Sequence, residues 1–150
     1  MVIVVLIIVN KNKISDMTDD LINKAIAFII KNNEGGYVND PNDPGGETKY
    51  GISKRAYPTL DIKNLTLDKA VQIYRRDYLS KLPVILNPQL FYQVLDMAIN
   101  AGPGTALKLY SPGMSVDTYK AKRIAYYQSL KNYPLYGKSW TARVNKTFLP

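Results

Sequence analysis

The stretch "NEGGYVNDPNDPGGETKYGI", residues 33–52, decides how the chain around it folds. Before it, apolar residues recur with helical spacing; within it, glycines and prolines interrupt that spacing and a polar loop follows. Glu34 stands directly before Gly35 and Gly36, which are expected to supply the left-handed residues that end a helix. The chain has only two glutamates, Glu34 and Glu47, and both lie in this stretch. It therefore predicts a helix that ends at a carboxyl group beside a loop.

At its predicted position, Glu34 is better suited to act as an acid than to stabilise the helix by its charge. The helix dipole places partial negative charge at the carboxyl end of a helix, so a carboxylate there does not stabilise the helix. The dipole and any apolar packing around the side chain would both favour the protonated form. A carboxylic acid that keeps its proton is what a glycosidase needs as a general acid. The alternative is an exposed loop glutamate without a role.

A second carboxyl group and a hydroxyl group follow in the same loop. Asp43 lies nine residues after Glu34, in a turn held by prolines and glycines, and Thr48 comes five residues later. A carboxylate that faces the first one across a sugar-sized gap can position a water molecule or stabilise a developing oxocarbenium ion. A threonine hydroxyl can help to hold that water.

Composition excludes several kinds of hydrolytic site. The chain has 150 residues, enough for one domain, and contains neither cysteine nor histidine. Cysteine nucleophiles, Ser-His-Asp triads, HExxH metalloprotease sites and the usual zinc sites are therefore excluded. Hydrolysis would have to use carboxylates, hydroxyls, amides or amines, and we expect no metal or other cofactor.

The spacing of apolar residues predicts a mainly α domain. The first helix is predicted from about residue 17 to residue 33, with one of three candidate caps: Ser15, Asp16 or Thr18. A second helix is predicted to open at Thr66, and a third to run from Asn87-Pro88 to "NAGPG". A fourth is predicted from about residue 117 to 131, a short one around Trp140, and a small hairpin at "KYGI", residues 49–52.

The chain begins with an apolar run of eight residues, 2–9. The run is too short to span a bilayer, which takes about 20 residues. It has no basic stretch before it and no small-residue cleavage site after it, so it does not fit a signal peptide. We predict an apolar extension or strand over residues 1–14 and a single domain over 15–150.

The net charge of +8 is distributed unevenly along the chain. Residues 104–150 carry eight lysines and arginines against a single acidic residue, Asp117. Such an excess favours a polyanionic partner, which could be a nucleic acid, an anionic membrane or an anionic cell wall. The alternative is a basic surface that only faces solvent.

The segment "EGGYVNDPNDPGGETKYGIS", residues 34–53, resembles the signature of glycoside hydrolase family 108, the N-acetylmuramidases found as phage endolysins and bacterial secretion activator proteins. The similarity continues through "LTLDKAVQIYRRDYL" and "LFYQVLDMAINAGPGTALKL" and departs after Leu109. The resemblance implies a lysozyme-like helical domain with a long catalytic loop or small hairpin after the first long helix. In it, residues 15–86 would form a catalytic half, and 87–150 a shortened C-terminal half similar to peptidoglycan-binding regions.

The resemblance also implies roles for particular residues. Glu34 would be the catalytic acid, and Asp43 would orient the attacking water with the help of Thr48. Asp40 is the alternative to Asp43 as the second carboxylate. Two further residues, Asp96 and Asn100, would face the cleft one helical turn apart, although capping and loop bracing explain this pair equally well.

Aromatic residues beside the motif suit a carbohydrate substrate. A tyrosine ring offers a flat apolar face to a sugar, and its hydroxyl offers a hydrogen bond. Tyr37 and Tyr50 flank the motif and are predicted to contact substrate.

The function implied by the resemblance is that of a lysozyme of the endolysin type. It would cleave the β-1,4 bond between N-acetylmuramic acid and N-acetylglucosamine in bacterial peptidoglycan. We expect a monomer without cofactor or integral membrane segment, made in the host cytoplasm without a clear signal peptide and acting on the cell wall from the periplasm. Two alternatives stay open: an inactive peptidoglycan-binding module, and a basic nucleic-acid-binding helical domain.

Overall fold

The computed structural model describes the backbone of residues 11–146 and the side chains of residues 19–146. This part of the chain forms six α-helices and one small hairpin, which confirms the predicted mainly α fold. The helices are α1 (Lys11–Asn33), α2 (Leu67–Asp77), α3 (Pro88–Ala101), α4 (Pro103–Leu109), α5 (Val116–Gln128) and α6 (Tyr133–Asn145). The hairpin strands are β1 (Thr48–Lys49) and β2 (Ile52–Ser53), and a 3-10 turn (Leu79–Lys81) follows α2.

Helix α1 begins earlier than the sequence predicted. It starts at Lys11, so the three candidate caps at positions 15, 16 and 18 lie inside the helix and do not begin it. Residues 11–14, predicted as an extension or strand, are helical, whereas the apolar run of residues 2–9 lies outside the described residues. The helix ends as predicted: the Glu34 N–H donates to the Ile30 carbonyl at 3.3 Å, and Gly35 follows with φ of 76°.

The predicted hairpin at residues 49–52 is confirmed. Thr48 pairs with Ser53 and Lys49 with Ile52, and the two residues between the strands both have positive φ, 53° at Tyr50 and 75° at Gly51. Two positive values in succession are typical of a type I′ turn, whose twist matches that of paired strands. The Tyr50 N–H donates to the Gly35 carbonyl at 3.1 Å. The turn of the hairpin therefore lies against the end of α1.

The predicted caps of α2 and α3 are confirmed. The Thr66 hydroxyl accepts the Lys69 N–H at 3.3 Å, and Asn87 Oδ1 accepts the N–H groups of Gln89 and Leu90 at 3.0 Å. Pro88 then occupies the first turn of α3, where its missing N–H is not needed.

Helix α4 was not predicted. The prediction ended α3 at "NAGPG" because glycine and proline interrupt helices. Proline is also favoured at the first position of a helix, and Pro103 opens α4 in this way, directly after Gly102 at φ of 90°. Helix α6 is also longer than the short helix predicted around Trp140, since it spans Tyr133–Asn145.

Helix α3 joins two apolar clusters. The first cluster packs α1, the hairpin and α2 against Tyr92, Leu95 and Ile99, and the second packs α4, α5 and α6 against the opposite side of α3. Every residue from Leu90 to Ile99 except Phe91 is buried, as expected for a helix that is apolar all round. Asp96 is the one charged residue in this helix. Within the described residues, no helix is long and apolar enough to cross a membrane.

Candidate active site

Glu34 lies where the end of α1 meets the turn of the hairpin. Its side chain is 17% exposed. A Cβ atom placed on Gly51 would lie 3.0 Å from Glu34 Oε2, so the carboxyl group is directly against the hairpin backbone. Glycine at position 51 permits this closeness, because it has no side chain and adopts the left-handed conformation that the turn needs.

A buried arginine from the last helix holds the other oxygen of Glu34. Arg143 Nη1 lies 2.6 Å from Glu34 Oε1, and the arginine side chain is only 8% exposed. Oε1 is buried, and no N–H among the described residues points at it with hydrogen-bond geometry, so the contact is an ion pair rather than a directed hydrogen bond. Oε2 is left as the oxygen on the accessible side. The prediction anticipated apolar packing here, and the structure has a guanidinium instead.

Asp96 anchors Arg143 from inside the protein. Arg143 Nε donates to both Asp96 oxygens at 3.1 Å, and Nη2 lies 2.9 Å from Asp96 Oδ1. Burial opposes the charge of Arg143, but Asp96 and Glu34 outweigh this effect and raise the pKa of the guanidinium above its usual range. Arg143 is therefore a fixed cation beside Glu34.

A second buried arginine also pairs with Asp96. Arg123 Nη2 lies 2.6 Å from Asp96 Oδ2, and neither side chain has any exposed surface. Arg123 Nη1 also donates to Gln93 Oε1 at 2.6 Å. Two arginines therefore surround the fully buried Asp96 carboxylate and offset the cost of burying its charge.

Polar side chains also tie the end of α1 to the C-terminal helix. Asn33, the last residue of α1, donates its amide to Asp96 Oδ1 at 3.4 Å and accepts Lys146 Nζ at 2.9 Å. These contacts lie one residue before Glu34. They connect the residue that carries the carboxyl group to α3 and to the end of α6.

Tyr74 fixes the hairpin on its other side. Its hydroxyl donates to the Tyr50 carbonyl at 2.7 Å, and a Cβ on Gly51 would lie 2.6 Å from this hydroxyl. Burial, together with the charge of Glu34, raises the pKa of Tyr74 above its usual value, so the hydroxyl keeps its proton and remains a donor.

The two candidate second carboxylates lie in the loop between Val38 and Thr48. Both are exposed and each holds a turn: Asp40 Oδ1 accepts the Asn42 N–H at 2.9 Å, and Asp43 Oδ1 accepts the Gly45 N–H at 2.7 Å. Such side-chain to backbone bonds are the usual way that aspartate stabilises a turn. The loop closes where Val38 and Thr48 exchange two backbone hydrogen bonds of 2.8 Å. Thr48 is partly buried in β1.

The two tyrosines predicted to contact substrate differ in exposure. Tyr37 is 38% exposed, and its hydroxyl donates to Glu47 Oε1 at 2.7 Å, an interaction that raises the pKa of the tyrosine. Tyr50 is partly buried, and Lys49 Nζ lies 5.6 Å from the centre of its ring. Tyr37 therefore presents an accessible ring whose hydroxyl is already anchored.

Asp96 was predicted to face the cleft, but the structure places it in the interior. Asp96 is fully buried because two arginines enclose its carboxylate, so its link to the site runs through Arg143. Asn100 is partly buried and accepts the Tyr127 hydroxyl at 2.7 Å. Both residues thus connect α3 to neighbouring helices and neither cap a helix nor brace a loop through these contacts.

Sequence analysis missed Arg123, Arg143, Tyr74 and Gly51. A signal for the arginines was available, because Asp96 is a lone charge in an otherwise apolar helix and a buried carboxylate requires a counter-charge. No sequence signal indicated which basic residues would supply this counter-charge, since both arginines are more than 25 residues from Asp96 along the chain. Among the described residues, no group of acidic side chains could hold a metal ion.

Part of the chain that carries this site matches a family model. A family model described as glycosyl hydrolase 108 matches residues 27–102, a segment that contains Glu34, the loop, the hairpin, α2 and α3. No curated protein sequence matches the chain significantly.

The fold is also similar to a solved structure, titled as that of SagA from Brucella abortus. The two share 28% sequence identity with a TM-score of 0.64, over 84% of this chain and 90% of the SagA chain. The expected lysozyme-like helical domain is confirmed by this similarity. Because the family model matches more than half of the residues, the chain belongs to glycosyl hydrolase family 108.

Proposed function

We propose that this protein is an N-acetylmuramidase that cleaves the β-1,4 bond between N-acetylmuramic acid and N-acetylglucosamine in bacterial peptidoglycan. The observation that carries the proposal is the placement of Glu34, which lies in the family-matched segment with one carboxyl oxygen buried against Arg143 and the other accessible. A general acid needs this combination of a fixed carboxyl group and an oxygen that substrate can reach.

The reaction needs only groups that this chain contains. Glu34 donates its proton to the glycosidic oxygen as the bond from that oxygen to the anomeric carbon breaks. A water molecule adds to the anomeric carbon, and Asp43, with Thr48, takes the proton that this water releases. A water placed between two carboxyl groups attacks from the opposite face and gives inversion, with the α anomer as first product, whereas carboxyl groups about 5 Å apart give retention. The anomer formed first distinguishes the two.

The surface of the protein suits a cell-wall substrate. Peptidoglycan belongs to an anionic wall, and residues 104–150 carry most of the net positive charge of +8. The exposed ring of Tyr37 lies in the segment that follows Glu34, where it can stack on a sugar. We propose that the protein acts as a monomer on the wall from the periplasm, as phage endolysins do.

Replacing Glu34 by glutamine tests the proposal. Glu34→Gln keeps the shape of the side chain but removes the transferable proton, and we expect at least a 100-fold loss of activity, the usual contribution of a general acid. The assay is reducing-sugar release from purified peptidoglycan, with folding checked by circular dichroism. Asp20→Asn is the matched control, since Asp20 is an exposed carboxylate on the same helix about 21 Å from Glu34 along its axis.

The two alternative functions give different results in the same experiment. An inactive wall-binding module would release no sugar, yet would bind peptidoglycan equally well with and without Glu34→Gln. A nucleic-acid-binding domain would bind duplex DNA more tightly than peptidoglycan, with strong salt dependence. Activity retained by folded Glu34→Gln would exclude Glu34 as the acid.

A further inference from the structure

The guanidinium nitrogens of Arg143 contact two different carboxyl groups. Nε and Nη2 contact Asp96, and Nη1 contacts Glu34 Oε1. Asp96 is fully buried and is also paired with Arg123, so it fixes the plane of the Arg143 guanidinium. Because that plane is fixed, Nη1 reaches Glu34 from one defined direction.

This contact distinguishes the two oxygens of Glu34. Every nitrogen of a guanidinium carries hydrogen, so Arg143 can donate but cannot accept. A proton on Oε1 would lie against the positive charge of Nη1, 2.6 Å away, and would find no acceptor there. When Glu34 carries its proton, the proton must therefore be on Oε2, which is the accessible oxygen beside Gly51.

We propose that Arg143 is a positioning residue that directs the transferable proton of Glu34 to Oε2 and holds the carboxyl group in place for proton transfer. The inference rests on the proposed glycosidase function. Once the proton has left, the carboxylate that forms is already paired with a cation. Arg143 belongs to α6, outside the family-matched residues 27–102, so the C-terminal half completes the catalytic site in addition to any part it has in binding the wall.

Matched arginine substitutions separate positioning from stability. Arg143→Met and Arg123→Met each remove one arginine from Asp96, but only Arg143 contacts Glu34. We expect Arg143→Met to lower kcat about 100-fold with little change in KM, a loss typical of a misplaced catalytic group. Folded Arg123→Met can affect Glu34 only through Asp96 and Arg143, so it should lower kcat at least 10-fold less than Arg143→Met does. Since these arginines are buried, Arg143→Lys and Arg123→Lys, which keep the charge, repeat the comparison if a methionine variant does not fold.

Conservative replacement supplies a further readout. Lysine is also a cation that donates and cannot accept, but its single ammonium group cannot bind two carboxyl groups in the way that a planar guanidinium does. Arg143→Lys should therefore recover about 10-fold of the activity that Arg143→Met loses, by partly restoring the positive charge beside Oε1. A residue with a merely structural role would recover stability without this change in kcat.

Carbon NMR tests the contact without relying on activity. The chain has only two glutamates, so labelling the side-chain carboxyl carbons of glutamate yields two signals, from Glu34 and Glu47. Arg143→Met, or Arg143→Lys in its place, should move the Glu34 signal and leave that of Glu47, whereas the same change at Arg123 should move the Glu34 signal less and also leave that of Glu47. A Glu34 signal that does not respond to Arg143, or equal kcat losses from both arginines, would overturn the inference. If wild type is inactive but the Glu34 signal responds as expected, the contact stands and the proposed function fails.

Discussion

At Gly51 the backbone passes so close to Glu34 that a single methyl group would reach the carboxyl group. An added Cβ would lie 3.0 Å from Glu34 Oε2 and 2.6 Å from the Tyr74 hydroxyl. These two groups fix the acid and the hairpin, so the methyl group could be accommodated only by moving one of them. Gly51 thus belongs to the site although it carries no functional group.

We expect Gly51→Ala to lower activity at least 10-fold because it displaces Glu34 or the hairpin. The left-handed backbone adds a stability cost of about 1–2 kcal/mol. Gly113→Ala is the matched control, since Gly113 also has positive φ, 79°, but has nothing within 4 Å of an added Cβ. In urea unfolding Gly51→Ala should lose at least as much stability as Gly113→Ala, and only Gly51→Ala should lose activity. Equal activities would show that the close approach does not constrain Glu34.

Two similar aspartates are candidates for the second catalytic carboxylate, and comparing their asparagine variants identifies which one acts. Asp40 and Asp43 are both exposed and each accepts one backbone N–H in a turn, so the change to asparagine should affect stability similarly. We expect Asp43→Asn to lower kcat about 100-fold, as expected for loss of a general base, and Asp40→Asn to lower it less than 3-fold. Reducing-sugar release at saturating substrate measures both. The reverse order would assign the role to Asp40.

At the scale of secondary structure, tyrosine hydroxyls join the hairpin region to α2. Tyr74 donates to the Tyr50 carbonyl, and Tyr57 donates to Asp77 Oδ2 at 2.7 Å. Asp77, the last residue of α2, also accepts Arg76 Nε at 2.7 Å. Helix α2 is therefore connected to the hairpin at its buried face and to the segment after the hairpin at its end.

The contacts of Asp77 predict that the stability of the folded protein falls at acid pH. Its hydrogen bonds from Arg76 and then Tyr57 lower the pKa of Asp77 from 3.8 to about 2. Between these values the unfolded chain binds the proton more readily than the folded one, so stability rises with pH. The stabilisation is complete above about pH 4 and is lost as the pH falls through about 2.

We expect Asp77→Asn to remove this dependence. Since Arg76 is 67% exposed and Asp77 29% exposed, solvent limits the contribution to about 0.5–1 kcal/mol. Urea unfolding at several pH values should show wild type more stable than Asp77→Asn at pH 5, with the difference shrinking towards pH 2. Tyr57→Phe, which removes one donor, should retain part of the dependence. A difference that is the same at pH 5 and pH 2 would contradict the assignment.

At the scale of the whole molecule, α3 connects the two apolar clusters because it contributes residues to both. Leu95 faces the cluster that contains α1 and α2, while Met97 faces the cluster that contains α5 and α6. The buried Asp96 lies between them and pairs with arginines from α5 and α6. We therefore expect the two halves to unfold together.

The single tryptophan allows this expectation to be tested. Trp140 packs in the second cluster, with its ring 5.2 Å from that of Tyr127, whereas Leu95 is buried in the first. Leu95→Ala should cost about 2–5 kcal/mol. Because the halves share α3, Trp140 fluorescence and far-UV circular dichroism should report the same lowered midpoint. A fluorescence transition that stays at the wild-type midpoint would show that the halves unfold separately.

Local interactions explain which features could be predicted from the sequence. The end of α1, the Thr66 and Asn87 caps and the turn at Tyr50-Gly51 each depend on residues within a few positions of one another. Helix α4 was missed because the same Gly-Pro signal can end one helix and open the next. The start of α1 was missed because several capping residues occur inside that helix.

The sequence by itself determined a mainly α domain without histidine or cysteine chemistry, with a helix that ends at Glu34 and a polar loop and small hairpin after it. Periodicity, caps and turn residues act over short distances, so they can be recognised without knowing the fold. Only the tertiary structure decided that Arg143, 109 positions after Glu34, holds one oxygen of the acid, and that Asp96 is a buried anchor rather than a residue of the cleft. Such pairings depend on how the helices pack around α3, because a buried charge takes its counter-charge from whichever residue packing brings near.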